Sequence, residues 1–363
     1  MARVEPLGIR KLESLLYYVH DLPRVRRFLT ERLGFSELGV SSAALDKEGR
    51  QRSAVFRAGE CVLVICEPIG EGGRAWRYLR RHPEGAGTLV FEVADIAHAF
   101  RLLDERGGTL VSDIQQFEDD AGSMAMFSIT TPLGETTFRF VQREGYGALF
   151  PGFVAHAEPR GGDNPIGFTQ LDHVAANFQT MSPALLWMEH VIGMERYWTQ
   201  KPDERAAAGV KSVVMWEPAS GLKIAASEPM RPFFKESQSH IFDEDQRGDG
   251  VQHTALAVAD LVGAVRLLRE RGVEFRHTPG AYYDQLPERL RRIGVNAIDE
   301  ELQTLRALEI LVDGEAERSY LLQIFLKEQA GLYGDPDAGP FFCELIQRKG
   351  DKGFGAGNLR AAR

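Results

Sequence analysis

The sequence lacks any continuous apolar run near the roughly eighteen residues that a membrane-spanning helix needs, so no such helix is expected. It lacks a basic face as well: the net charge is −9 with both signs interspersed, and a nucleic-acid surface is not expected. Cysteine is scarce. Cys61, Cys66 and Cys343 form no CxxC pair and are odd in number, which suits buried hydrophobes in a reducing cytoplasm better than ligands. The opening Met-Ala-Arg-Val-Glu-Pro has no apolar signal core, so secretion is not expected either. What remains is 363 residues, 44% hydrophobic and 26% charged, enough for two domains each with its own core. The expectation is a cytoplasmic protein with a small-molecule partner, assembled as a homo-oligomer, a dimer or tetramer.

An internal repeat organises the chain. The stretch Gly87–Gly108 reappears as Gln252–Val273, with Asp95 falling on Asp260, 165 positions on. Each copy reads as a strand, an Asp placed to cap a helix, an amphipathic helix ending in Arg-Gly, and a further strand. A second pair sets Leu12–Val19 against Leu171–Phe178, each leading into a helix and then Leu33-Gly-Phe or Ile192-Gly-Met, with an offset of 159. A third sets Thr136–Gly145 against Phe341–Gly350, with an offset of 205. The chain therefore reads as α+β, two tandem halves of paired βαβββ modules. The boundary is expected near residue 158, giving halves 1–158 and 159–363. Gly145–Pro165, dense in Gly and Pro, reads as a linker with an apolar anchor rather than as an element. Extra length in the second half alone, between Asp203 and His240 and between Pro279 and Ile310, suggests that this half wraps a ligand; within it Ala297–Leu308 reads as an amphipathic helix.

The repeat also compares the two halves position by position. At offset 159 His173 replaces Ser14, at offset 165 His253 replaces Thr88, and at offset 205 Glu344 replaces Arg139. Two imidazoles and a carboxylate on three strands of one curved sheet make a facial triad, whose open opposite positions point to non-haem Fe(II), one per chain. The triad explains why Glu344 stands between Phe342 and Ile346 on one face of an otherwise apolar strand, since a dication compensates its charge there. The other histidines, His20, His82, His98, His156, His190, His240 and His277, have no such register and are expected to be solvated. Gly353-Phe-Gly-Ala-Gly357 resembles a nucleotide loop but joins no strand to a helix within a βαβ unit.

Leu171-Asp-His-Val, Gly250-Val-Gln-His253, Tyr320–Phe325, Phe341–Arg348 and Gly353–Asn358 together resemble the 4-hydroxyphenylpyruvate dioxygenase family of the vicinal oxygen chelate superfamily. The resemblance runs along nearly the whole chain. It implies that the second half closes an open barrel around the iron and that the first half is a metal-free structural partner. It implies a 2-oxo acid chelating Fe(II) through carboxylate and keto oxygens, with dioxygen as co-substrate, and hydroxylation with side-chain migration to homogentisate in tyrosine catabolism. Carried over residue by residue, Gln252, Gln323, Gln238, Ser212 and Asn358 are polar groups of the site, and Phe325, Phe342 and Phe354 form its aromatic wall.

Three positions depart from the family: Ser227 where Asn is usual, Ala225 where Pro is frequent, and Leu359 where Phe is usual. An aliphatic residue at the last position resembles the sister hydroxymandelate synthases, which hydroxylate the benzylic carbon of the same substrate. A ligand-binding member without activity, or a metal isomerase or lyase of the glyoxalase kind with a fourth protein ligand and zinc or nickel, would be the rival classes.

Overall fold

The structure, a computed structural model, describes residues 4–199, 209–230, 238–316, 318–353, 355 and 358. The first half supplies β1 (Ile9–Tyr18), β2 (Ser36–Ser41), β3 (Gln51–Ala58), β4 (Cys61–Pro68), β5 (Gly85–Val93), β6 (Gln115–Asp119), β7 (Gly122–Thr130) and β8 (Thr137–Glu144). They form one mixed sheet in the order β6-β7-β8-β5-β1-β4-β3-β2, with β9 (Phe153–Gly161) added beside β2. The second half supplies β10 (Phe168–Asn177), β11 (Glu195–Thr199), β12 (Val210–Trp216), β13 (Lys223–Pro229), β14 (Gly250–Val258), β15 (Leu311–Ala316), β16 (Ser319–Phe325) and β17 (Phe342–Lys349). Their order, β11-β12-β13-β10-β14-β17-β16-β15, is the first sheet read backwards with every strand replaced by its repeat counterpart. The paired βαβββ modules expected from the repeat are the architecture, and the second sheet curls into a half-barrel.

Local chemistry accounts for the helices that punctuate each module. Asp95 accepts a hydrogen bond from the His98 backbone N–H to start helix Ile96–Glu105, and Asp260 does the same with Gly263 for helix Leu261–Glu270. Both helices end at an Arg-Gly pair whose glycine, Gly107 or Gly272, takes the left-handed conformation. Ile96, Ala99, Leu102 and Leu103 bury one stripe of the first helix, and Leu261, Ala264, Val265 and Leu268 bury that of the second. A continuous apolar core joins the halves, with Tyr17 of β1 meeting Phe341 edge-to-face at 4.7 Å.

Three local expectations are corrected. The stretch read as a linker contains β9, which pairs with β2 from Ser36 opposite Gly161 to Ser41 opposite Phe153 and crosses residue 158. Most of its residues are exposed, so backbone pairing on an otherwise open edge makes the strand and no apolar alternation announces it. The anchor is Phe150, buried with the guanidinium groups of Arg139 and Arg143 at 5.9 and 5.2 Å from its ring. The helix read over residues 297–308 starts only at Leu302. The preceding turn is engaged elsewhere: the Asp299 N–H donates to the Tyr320 hydroxyl, which in turn donates to Glu300. Finally, His82 and His156 are not solvated. His82 Nδ1 lies 2.9 Å from the Gln246 carbonyl oxygen across the interface between the halves, and His156 Nε2 lies 3.1 Å from Glu37 on β2.

Candidate metal centre

β10, β14 and β17 are neighbours in the sheet, so their side chains on one face lie in rungs across it. His173, Ala255 and Glu344 share one rung, and Ala175, His253 and Phe342 share the next. Ala255 is small enough to let His173 and Glu344 converge over it. The result is a buried cluster in which His173 Nε2 and His253 Nε2 lie 3.5 and 3.3 Å from Glu344 Oε2. One donor atom from each of the three lies within 4.8 Å of the others, and among the described residues no other group of three His, Cys, Asp or Glu does so. Donors about 2.1 Å from a common ion and at right angles to one another sit about 3 Å apart, so this donor set fits a facially bound dication.

Two bulges make the imidazole directions definite. Between Leu171 and His173 the pairing with β14 skips a residue, leaving Asp172 extra on β10; between His253 and Val251 it leaves Gln252 extra on β14. Each extra residue can thereby turn its side chain to the histidine that follows it. Asp172 Oδ1 lies 2.7 Å from His173 Nδ1, and Gln252 Oε1 lies 3.0 Å from His253 Nδ1. With Nδ1 so engaged, each ring presents Nε2 to the centre. Asp172 is itself held by Arg348 of β17, which donates from Nε and Nη2 at 2.7 and 2.6 Å.

The charges reinforce this arrangement. Burial alone would raise the Glu344 carboxyl, yet the facing imidazoles hold it below its ordinary value. Burial would lower His173, but Glu344 and Asp172 raise it, whereas burial keeps His253 lowered. Although burial pushes the Asp172 carboxyl up, Arg348 and His173 hold it far below the usual carboxylate range.

The other candidate residues divide. Phe342 stacks on the His253 ring at 4.8 Å, and Phe325 stands edge-on to both at 6.0 and 5.9 Å. The Arg276 guanidinium, which sequence reasoning did not single out, lies 4.6 Å from the Phe342 ring centroid. Gln323 is buried on β16, and its Oε1 makes no hydrogen bond among the described residues. Ser212 and Ser227 face each other on β12 and β13 with hydroxyls 2.8 Å apart. Ala225 packs with Ala175 and Val214 on the His173 side of the sheet. Asn358 is buried, and its Oδ1 accepts from Arg289 at 2.8 Å and lies 2.7 Å from the Tyr282 hydroxyl, which also meets Val312 of β15. Gln238 opens helix Gln238–Gln246. Phe354 and Leu359 lie outside the described residues.

The first half supplies a control for the assignment. Ser14, Val90 and Arg139 share a rung there, as do Leu16, Thr88 and Thr137, so the offsets of 159, 165 and 205 all hold in the pairing register. Thr88 bonds the hydroxyls of Tyr18 and Thr137 at 3.1 and 2.8 Å, and Arg139 donates to Ser128 at 3.3 Å. The same curved frame thus holds a cation and hydroxyls where the second half holds donors for a metal.

Repeated βαβββ modules around a centre of two imidazoles and one carboxylate define a protein of the vicinal oxygen chelate type. In agreement, a profile described as Glyoxalase/Bleomycin resistance protein/Dioxygenase superfamily matches residues 11–137 and 170–286. Among curated proteins, 4-hydroxyphenylpyruvate dioxygenase of Dictyostelium discoideum is 31% identical over 359 residues, covering 96% of this chain and 95% of the relative. The enzyme of that name from Coccidioides posadasii (strain C735) is 30% identical over 373 residues, covering 97% and 91%. A solved structure of a triple mutant of 4-hydroxymandelate synthase from Streptomyces coelicolor superposes with a TM-score of 0.79 at 27% identity, covering 98% of this chain and 97% of that one. The chain belongs to the 4-hydroxyphenylpyruvate dioxygenase family within that superfamily.

Proposed function

We propose that this chain is an Fe(II)-dependent dioxygenase that decarboxylates and hydroxylates 4-hydroxyphenylpyruvate to homogentisate in the cytoplasm, one iron serving each chain. The observation that carries the reading is the buried triad His173, His253 and Glu344 on adjacent strands, with one donor atom of each within 4.8 Å of the others. His173, His253 and Glu344 would hold the iron and, being only three protein donors, would leave it accessible to a 2-oxo acid and dioxygen. Bound there, Fe(II) would supply Lewis acidity toward the 2-oxo acid and the one-electron chemistry that dioxygen needs. The second half, which follows β9, does this work, and the first forms a metal-free structural half.

The chain's own groups act by holding and shielding. Glu344 contributes the anionic donor, and Asp172 and Gln252 fix the two imidazoles with Nε2 inward. Phe342 and Phe325 wall the centre beside His253, excluding water and offering ring faces and edges to an aromatic substrate. Gln323, buried with an unbonded Oε1, is placed to take a hydrogen bond from a substrate hydroxyl, and Ser212 and Ser227 are further polar contacts.

A second reading, 4-hydroxymandelate as product, is favoured by one feature: on the His173 side of the sheet the side chains of Ala175, Ala225 and Val214 are small, with Tyr197 and Trp198 packed against them. The likeness to 4-hydroxymandelate synthase supports it at family level. The test is to add 4-hydroxyphenylpyruvate to the Fe(II)-loaded enzyme, record oxygen uptake, and separate the products by chromatography. Homogentisate with one dioxygen consumed per substrate is expected; 4-hydroxymandelate alone would make the second reading correct, and no Fe(II)-dependent uptake would refute both.

A further inference from the structure

The carboxylate–arginine pair behind His173 occurs twice. In the second half Arg348 grips Asp172 through Nε and Nη2 and donates from Nη1 to the carbonyl oxygens of Gly353 and Asp351 at 2.7 and 3.2 Å. In the first half Arg143 grips Glu13 through Nε and Nη2, and its Nη1 donates to the carbonyl of Ala148 at 3.5 Å. Glu13 stands at Asp172, Arg143 at Arg348 and Ala148 at Gly353 when the offsets of 159 and 205 are applied. Glu13 is also the extra residue of a bulge, between Leu12 and Ser14. One function of the pair is therefore common to both halves: it ties β1 to β8, or β10 to β17, across the one strand that separates them, and secures the segment that follows.

The difference lies in what the acid touches next. Asp172 Oδ1 meets His173 Nδ1 at 2.7 Å, whereas Glu13 is followed by Ser14, whose buried hydroxyl makes no hydrogen bond among the described residues. The acid is also one methylene shorter in the second half. Glutamate is thus sufficient for the structural function, while the half with imidazoles has aspartate, whose carboxylate reaches the adjacent ring and Arg348 at once. We infer that Asp172, clamped by Arg348, is a positioning residue that sets the tautomer and direction of His173 for the metal, a role distinct from the sheet-tying one that Glu13 and Arg143 also perform. This inference rests on the proposed reading of His173, His253 and Glu344 as metal ligands.

Co(II) titration of the full-length protein, followed by its d–d absorption, separates the two roles. Asp172→Glu should keep an arginine pair, as Glu13 does, and so keep the thermal midpoint near wild type, yet bind Co(II) roughly 10–100-fold more weakly with an altered spectrum. Asp172→Asn should weaken binding to a similar degree. Glu13→Gln, which breaks the corresponding pair in the first half, should lower the thermal midpoint and leave Co(II) affinity and spectrum unchanged. Wild-type affinity and spectrum in Asp172→Glu would overturn the inference, and so would an equal loss of affinity in Glu13→Gln, which would make the effect one of general sheet integrity. Failure of Asp172→Glu to fold would overturn it too, because the equivalence with Glu13 would be gone. If the wild-type chain bound neither Co(II) nor Fe(II), the proposed function itself would fail, an outcome distinct from a variant that matches a metal-binding wild type.

Discussion

Replacing Asp243 by asparagine should remove a pH dependence of stability that this one side chain builds into the second half. Asp243 lies on helix Gln238–Gln246, 5% exposed, with Oδ1 accepting from Asn177 Nδ2 at 2.7 Å and Oδ2 buried without a hydrogen bond among the described residues. Asn177 is on β10, four residues beyond His173, and also donates to the Ser239 carbonyl at 2.8 Å, so the contact docks the helix onto a triad strand. Burial pushes the Asp243 carboxyl up to about 7, the charge of Asp249 adds to the rise, and the Asn177 bond only partly offsets them. In the unfolded chain the group ionises near 3.9. Between about pH 4 and pH 7 the folded state therefore holds a proton that the unfolded state has released, and stability falls as pH rises, by about 1.4 kcal/mol per unit. Across the window the loss reaches roughly 4 kcal/mol, after which both states are ionised and the loss is constant. The side-chain amide of the variant does not titrate, and its carbonyl still accepts from Asn177, so Asp243→Asn should match wild type near pH 4 and exceed its stability by a few kcal/mol at pH 8. Urea unfolding of both proteins at pH 5, 6, 7 and 8 measures the difference. A difference that stayed flat across that range would refute the reasoning.

Other consequences can be checked separately. Glu344→Ala should keep the fold yet lose most of its iron affinity, since two neutral imidazoles remain; stoichiometric iron in the purified variant would refute the triad. Metal analysis of the wild type should find one equivalent per chain, and two tightly held equivalents would contradict the account of Ser14, Thr88 and Arg139 as positions without ligands. Gly355→Ala should lower kcat/KM, because Gly355 has a φ of +66° and an added Cβ would fall 1.8 Å from Gln323 Oε1, displacing that side chain; unchanged kinetics would remove Gln323 from the site. Arg24→Ala should destabilise the protein by about 3 kcal/mol or more in thermal or urea unfolding, because it leaves the fully buried Glu84 with the His20 N–H but no compensating charge and cuts the bridge to Asp335 in the other half; a change under about 1 kcal/mol would show that the pair is not needed.

How much of this was legible in the sequence depends on the range of the interaction involved. Strand alternation, helix caps at Asp95 and Asp260, and the two-fold repeat are local patterns, and they determined the fold class, the order of modules and the three positions where His173, His253 and Glu344 replace Ser14, Thr88 and Arg139. The observed register agrees because side chains on paired strands share a face only when the alternation is kept in step. Other features carry no local signal. β9 is mostly exposed, and only the open edge of β2 gives it a partner; His82 looks like any helix-end histidine until the second half covers it. Asp172 and Arg348 stand 176 residues apart, and a bulge is needed to turn Asp172 toward both Arg348 and His173. Their signal was present as the charge pair Glu13 and Arg143 at the same offsets, but charges on strands are common and only contact distinguishes a pair from a coincidence. The sequence by itself thus determined which side chains face inward on each strand, since that follows from backbone geometry over a few residues. Which of them meet was decided by the tertiary structure, because sheet order, bulges and the packing of one half on the other bring together groups that no local pattern relates.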